Sequence, residues 1–106
     1  MNDATNTSTK LQLGTTVMTR SVRDAAEADP TFALLCMVSL VRHEHGDWGD
    51  IDEFDRQMND AAVAAGDLRV LSSYRLPADM FVGDTKIWII TEADRSSTTI
   101  LFPSEY

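Results

Sequence analysis

Cysteine is nearly absent from this 106-residue chain: Cys36 is the only one, so no internal disulfide can form. It lies in the apolar run FALLCMVSLV, where a thiol reads as a small buried hydrophobe in a reducing compartment rather than as a nucleophile. Basic residues are also scarce. Nine Lys and Arg face seventeen Asp and Glu, a net charge of −8, and a field of that sign repels phosphate backbones. Direct binding of DNA or RNA is therefore not expected. No unbroken apolar run approaches the ~18 residues that a membrane span requires. The start MNDATNTSTK has no apolar stretch behind a basic cluster, so a soluble, cytoplasmic protein is expected. There are two histidines and no HExxH, CxxC or glycine-rich phosphate loop. No complete catalytic constellation is visible, and no cofactor is expected.

What is present suffices for one domain. Hydrophobic residues make up 43% of the chain, and two Trp, two Tyr and four Phe supply aromatic bulk for a core. Residues 1–10 are polar without hydrophobic period and read as a disordered or weakly ordered tail; residues 11–106 read as the domain. LQLGTTVMT (11–19) suggests a first strand bent at Gly14. Ser21, with Asp24 three residues on, marks a helix start, and Asp29-Pro30 marks a second. From Phe32 to Val41 that second helix is apolar almost all round, the signature of a buried element, and Gly46 is placed to end it. IDEFDRQMNDAAVAAG predicts a third helix with Ile51, Phe54, Met58, Ala61, Ala62 and Ala65 as its inner stripe and Gly66 as its stop. LRVLSSYRL (68–76) reads as a strand, and MFVGD (80–84) as a loop or short edge strand. TKIWIITEADRSSTTILFP (85–103) reads as a hairpin whose IWII, apolar on both faces, is central. The order β-α-α-α-β-β-β predicts an α+β fold: an antiparallel sheet of three to four strands covered on one face by helices.

The acid excess is localised. Residues 1–43 hold four acids and four bases, and residues 68–106 five acids and four bases, whereas residues 44–67 hold eight acids and Arg56 alone, a net −7. Asp52, Glu53, Asp55 and Asp60 fall on the outer side of the third helix, and acids in its first turns are each stabilised by up to about 1 kcal/mol at the positive helix end. Within RHEHGDWGD (42–50), His43, His45 and Asp47 offer two imidazoles and a carboxylate to a metal, although positions two apart on a helix diverge. A hydrolytic set is also conceivable, with His43 or His45 as base, Asp47 or Asp50 orienting it and Arg95 of the hairpin turn stabilising charge. The same residues serve equally as helix caps and turns. Trp48, between two glycines, either folds back as a plug over the core or projects as an aromatic anchor. In the second case Asp47, Trp48, Asp50, Asp52, Glu53 and Asp55 form an acid-ringed face suited to a partner with a basic surface. The turn TEADRSS reads as a polar turn with an internal ion pair among Glu92, Asp94 and Arg95, and Tyr106 as a cover for a sheet edge or part of an interface.

Several of these pieces resemble a family when taken together: the box His43-Glu44-His45-Gly46-Asp47-Trp48-Gly49-Asp50, then Asp55 and Asn59, then Leu71-Ser72-Ser73-Tyr74, then Ile87 to Ser96 and the closing Pro103 to Tyr106. They are similar to small proteins carried on plasmids, integrative elements and phages, often catalogued as plasmid-related or labelled type I restriction enzyme subunit M. The chain departs from that pattern in a longer apolar helix before the box and in the Pro-Ala-Asp-Met-Phe-Val-Gly stretch before the hairpin. It carries no Rossmann unit or N-P-P-[YF] motif to support a methyltransferase label. The resemblance implies an accessory protein of a mobile genetic element, and the acid patch suggests an inhibitor of a host nucleic-acid-processing defence enzyme, of anti-restriction or anti-CRISPR type. The alternatives are a small metal- or His-dependent hydrolase or toxin-like nuclease using HEHGD, and a homodimer formed through the exposed edge of the hairpin.

Overall fold

Each helix begins where a side chain satisfies its first amides. In the computed structural model, which describes residues 11–80 and 82–106, strand β1 (Thr15–Met18) runs into α1 (Arg20–Ala28). Thr19 is the cap, its hydroxyl accepting from the Val22 amide, so the helix starts before the expected Ser21. The carboxylate of Asp29 accepts from the Thr31 and Phe32 amides to open α2 (Pro30–Glu44), with proline in the first turn as the sequence predicts. Asp52 caps α3 (Glu53–Ala65) through the Asp55 amide, and Gly66, at φ 73°, closes it with its N–H on the Ala62 carbonyl. Strands β2 (Val70–Arg75), β3 (Lys86–Thr91) and β4 (Ser97–Leu101) follow, and a 3-10 turn spans Pro103–Glu105. The class is the expected α+β. The tail expected at residues 1–10 lies outside the described residues.

The four strands lie in the order β1-β4-β3-β2. β2, β3 and β4 form an antiparallel meander, while β1 pairs parallel with β4, Thr15 opposite Ser97. The sheet is therefore mixed rather than wholly antiparallel. A crossover of three helices carries the chain from one edge of the sheet to the other and returns it in the same direction. One consequence corrects an expectation: both hairpin strands are interior, so the hairpin offers no free edge for a homodimer. The sheet edges belong to β1 and β2.

On one sheet face, Tyr74, Leu76, Ile87, Ile89, Ile100 and Phe102 pack with Val22 of α1 and with Phe32 and Cys36 of α2. The Phe32 and Phe102 rings stack with centroids 5.9 Å apart. Each such side chain stabilises the fold by about 1.5–3 kcal/mol on burial. A second cluster joins Leu11, Trp48, Ala62 and Val70, with Ile51 and Val63 against it. Two helices sit differently from their sequence reading. α2 is not buried all round: Phe32, Cys36, Ser39 and His43 are inside, but Leu34, Met37, Val38 and Val41 are exposed. α3 is turned so that Asn59 and Ala62 face inward, while Phe54 and Met58 of the predicted inner stripe face out. Phe54 is five residues before Asn59 and so lies about 140° away around the helix.

The rotation of α3 is set by the free edge of β2. The outward backbone groups of Leu71 and Ser73 and the outward amide of Arg75 are met without a further strand. The Asn59 amide acts as a peptide would, its Nδ2 donating to the Leu71 carbonyl at 2.8 Å and its Oδ1 accepting from the Leu71 N–H at 3.4 Å. Ser73 donates to the Trp48 carbonyl at 3.1 Å and accepts from the Asp50 amide at 2.6 Å. The Asp50 carboxylate accepts from the Arg75 amide at 3.0 Å. Residues 47–50 can lie this close only because residue 49 is glycine. Its φ is 76°, and a Cβ there would stand 2.1 Å from the Ser73 carbonyl oxygen. An edge so occupied cannot template another strand. Asn59→Ala, which strands both Leu71 groups, is expected to lower stability by about 2–3 kcal/mol. Gly49→Ala should cost at least as much, because the left-handed region alone costs a non-glycine residue about 1–2 kcal/mol. Urea midpoints read both, and an Asn59→Ala midpoint equal to wild type would show that Asn59 does not hold the edge.

Candidate functional site

The inner face of α2 carries His43 into the core, where the imidazole joins β2 to β3 and, through Thr91, to β4. Its Nδ1 is hydrogen-bonded to the Ser72 hydroxyl of β2, and its Nε2 lies 2.8 Å from the Thr91 hydroxyl of β3. Thr91 Oγ1 is 2.7 Å from Thr98 Oγ1 of β4, and Thr98 donates to the Leu13 carbonyl at 2.7 Å. That carbonyl can only accept, which sets the direction of the whole chain. Thr98 spends its one proton on Leu13, so Thr91 donates to Thr98, His43 Nε2–H donates to Thr91, and Ser72 donates to Nδ1. His43 is thereby held as the neutral Nε2–H tautomer, and burial pushes its pKa down to about 4. The edge of its ring meets Trp48, with centroids 5.6 Å apart.

A serine hydroxyl on a histidine has the outline of a nucleophile and its base. Here both residues are fully buried and the second imidazole nitrogen is on a threonine, so the pair has no access to substrate. Cys36 is no alternative, because burial raises its thiol pKa to about 11. The other members of the catalytic and metal sets lie apart from His43. His45 is exposed at the helix end, its Nδ1 on the Val41 carbonyl at 2.9 Å. Asp47 takes two hydrogen bonds from Arg42, at 2.7 and 3.1 Å, and these hold its carboxyl below the usual carboxylate range. Arg42 in turn lies 4.8 Å over the Tyr74 ring, and the Tyr74 hydroxyl donates to the Asp47 carbonyl at 2.7 Å. Arg95 stands at the opposite end of α3. It donates to the carbonyls of Ala62, Leu68, Glu92 and Ala93 rather than pairing with an acid of its turn, and so holds its own positive φ of 62° and the last turn of α3. Among the described residues, no three His, Cys, Asp or Glu side chains are grouped to hold a metal ion.

Trp48 is the plug and not the anchor. Its indole is buried, and its N–H donates to Asp60 at 2.9 Å. The tight turn at Gly49 against β2 directs the ring inward, which removes Trp48 from the expected binding face. Asp50 and Asp52 are exposed but structurally engaged, on the Arg75 and Asp55 amides. The exposed aromatic among the acids is instead Phe54, at 69%, with Met58 at 46% one turn on. Asp52, Glu53 and Asp55 are exposed around them. Glu53 lies 3.5 Å from Arg56 and accepts from Gln57. Beside them is a depression of about 180 Å³ lined by Ile51, Asp55, Met58, Asn59 and Leu71. The periodicity of apolar residues hides Phe54 and Met58 by assigning them inward; the one contrary signal is Asn59, a polar residue able to replace a peptide at a strand edge. Tyr106 T-stacks on Trp88 at 5.6 Å with Arg69 over its ring. No helix among the described residues is long and apolar enough to cross a membrane.

Compared with models of protein families, with curated proteins and with solved structures, the chain matches none.

The buried imidazole gives stability a defined pH dependence. Unfolded, His43 titrates near its ordinary 6.5; folded, near 4. The unfolded state therefore takes up the proton first as pH falls. Stability present above about pH 6.5 is lost progressively down to about pH 4, by about 3 kcal/mol. Urea unfolding at pH 7 and pH 4.5 should show that step in wild type. His43→Gln, weaker at pH 7, should lack it; parallel losses in the two proteins would assign the step to other groups.

Proposed function

We propose that this chain is a non-catalytic protein-binding module that engages a basic, partly apolar surface through the outer face of α3. The observation that carries this reading is Phe54, the most exposed of the large hydrophobic residues among those described and ringed by Asp52, Glu53 and Asp55. Burying an aromatic ring in its own core is the ordinary outcome; holding one in water on an acidic helix leaves it available to a partner. An arginine of that partner would stack on the Phe54 ring while pairing with a neighbouring carboxylate. The adjacent depression suits a second basic side chain, its stem against Met58 and Leu71 and its head at Asp55. Surfaces of that composition are typical of proteins that bind nucleic acid. Together with the mobile-element resemblance, this supports an inhibitor of a nucleic-acid-processing defence enzyme, of anti-restriction or anti-CRISPR type. A hydrolase is less well supported, since the residues proposed for it are either sealed in the core or committed to helix ends and ion pairs.

Immobilised wild-type protein is expected to retain a basic nucleic-acid-processing protein from a bacterial lysate, with affinity falling steeply as salt rises. Phe54→Ala should weaken binding at least ~30-fold, and Glu53→Gln with Asp55→Asn should flatten the salt dependence. None of these substitutions touches the core. Unchanged affinity in both variants would remove α3 as the binding face.

A further inference from the structure

The two edges of the sheet differ. Asn59, Trp48 and Asp50 occupy that of β2, and β1 forms the other. Thr15 donates to the Ser96 carbonyl and Thr19 to the Ile100 carbonyl, so the odd-numbered residues of this strand turn their backbone groups to β4. Thr16 and Met18 therefore point N–H and C=O outward, and no described residue meets them. The strand has no charge or proline to blunt it, and Thr15, Thr16 and Val17 are exposed. Such a row accepts one kind of occupant, a second extended backbone. The chain does not enter the domain along this edge: Leu11 donates to the Glu44 carbonyl and packs with Val70 of β2, across the sheet from it.

We propose that β1 pairs antiparallel with β1 of a second copy of the chain, about a two-fold axis at Val17. Thr16 then faces Met18 of the second copy and Met18 faces its Thr16, each pair exchanging both main-chain hydrogen bonds. Val17, 44% exposed, meets its own counterpart as a β-branched cross-strand pair. Three features make a second copy the occupant. Under that axis the row is its own complement. Pairing also terminates: the closed β2 edges come to lie at both ends of a sheet of eight strands, four from each copy, so no third chain can add. The charges are favourably placed as well. α3 lies against β2, so the acid-rich segments of the two copies stand at opposite ends of that sheet, and β1 itself carries no charge. Thr19 of each copy faces Thr15 of the other, and the Arg20 that follows comes toward the other copy's β3–β4 turn. Exposed Asp94 is the outward charge of that turn, because the Arg95 guanidinium is turned onto the Ala62 and Leu68 carbonyls. Both outer faces of α3 stay free in such a pair. A strand of four residues covers less than the ~800 Å² per partner of a standard interface, so the association is weak and concentration-dependent.

Sedimentation of the full chain between about 1 µM and about 1 mM tests this. Wild type should move from one chain toward two. Thr16→Pro removes an outward N–H without touching the β4 ladder, and it should weaken the association at least ~10-fold. Val17→Lys and Val17→Glu should each be monomeric alone and should pair when mixed, because the axis sets residue 17 of one copy against residue 17 of the other. Melting curves at low concentration confirm that the variants fold, and the two changes at exposed Val17 decide the matter if proline is not tolerated. A wild type that stays monomeric across the range, or a dimer that survives both Thr16→Pro and Val17→Lys, overturns the proposal. Failure of the mixed variants to pair overturns the two-fold register.

Discussion

The hydrogen-bond chain from Ser72 through His43, Thr91 and Thr98 to the Leu13 carbonyl crosses the interior where water cannot substitute for a missing partner. In that setting an unmet donor or acceptor costs about 1–3 kcal/mol, so the members tolerate little displacement. α2 must present His43 at the height of Ser72 and Thr91, β3 and β4 must keep Thr91 beside Thr98, and the segment before β1 must bring Leu13 to the end of the line. The two apolar clusters lie on either side of this chain, and Trp48 of one rests against the imidazole. Apolar packing supplies most of the stability; the polar chain determines which packing is adopted.

The density of unusual residues around the box has a structural origin in the neighbouring sheet edge. Gly49 permits the approach, the backbone of Trp48 and Asp50 and the Asp50 carboxylate occupy the edge groups of β2, and Asn59 completes the row. Four acids of the charged segment have internal duties: Asp47 on Arg42, Asp50 on the Arg75 amide, Asp52 as a cap and Asp60 on the Trp48 indole. The motif pieces that suggested chemistry are thus largely partners of one another. Glu53 and Asp55 remain beside Phe54 on the outside, which is where recognition is proposed.

Local signals in the sequence were reliable where the physics is local. Asp29-Pro30 opens α2 and Gly66 ends α3, because capping and a left-handed residue act within a few positions. The IWII strand is central because only an interior strand hides both faces. Rotations and partners were not legible, because periodicity reports where apolar residues recur and not what they meet. In α3 one Asn side chain, matched to the Leu71 peptide, outweighs the apolar stripe containing Phe54 and Met58. In α2, apolar residues on both sides left no way to tell the buried set from the exposed one. His43 read as a candidate ligand or base, or as part of a helix cap, because its partners, Ser72 and Thr91, lie far along the chain.

The parallel pairing of β1 with β4 has a consequence in time. Thr15 cannot meet Ser97 until nearly the whole chain is available, and closing so long a loop is entropically costly. The β2-β3-β4 meander needs only short connections and can assemble first, leaving the outer groups of β4 open and the Thr98 hydroxyl without its carbonyl. Docking of the segment from Leu11 to Met18 completes both the sheet and the polar line, and so long-range a pairing raises the contact order that slows folding.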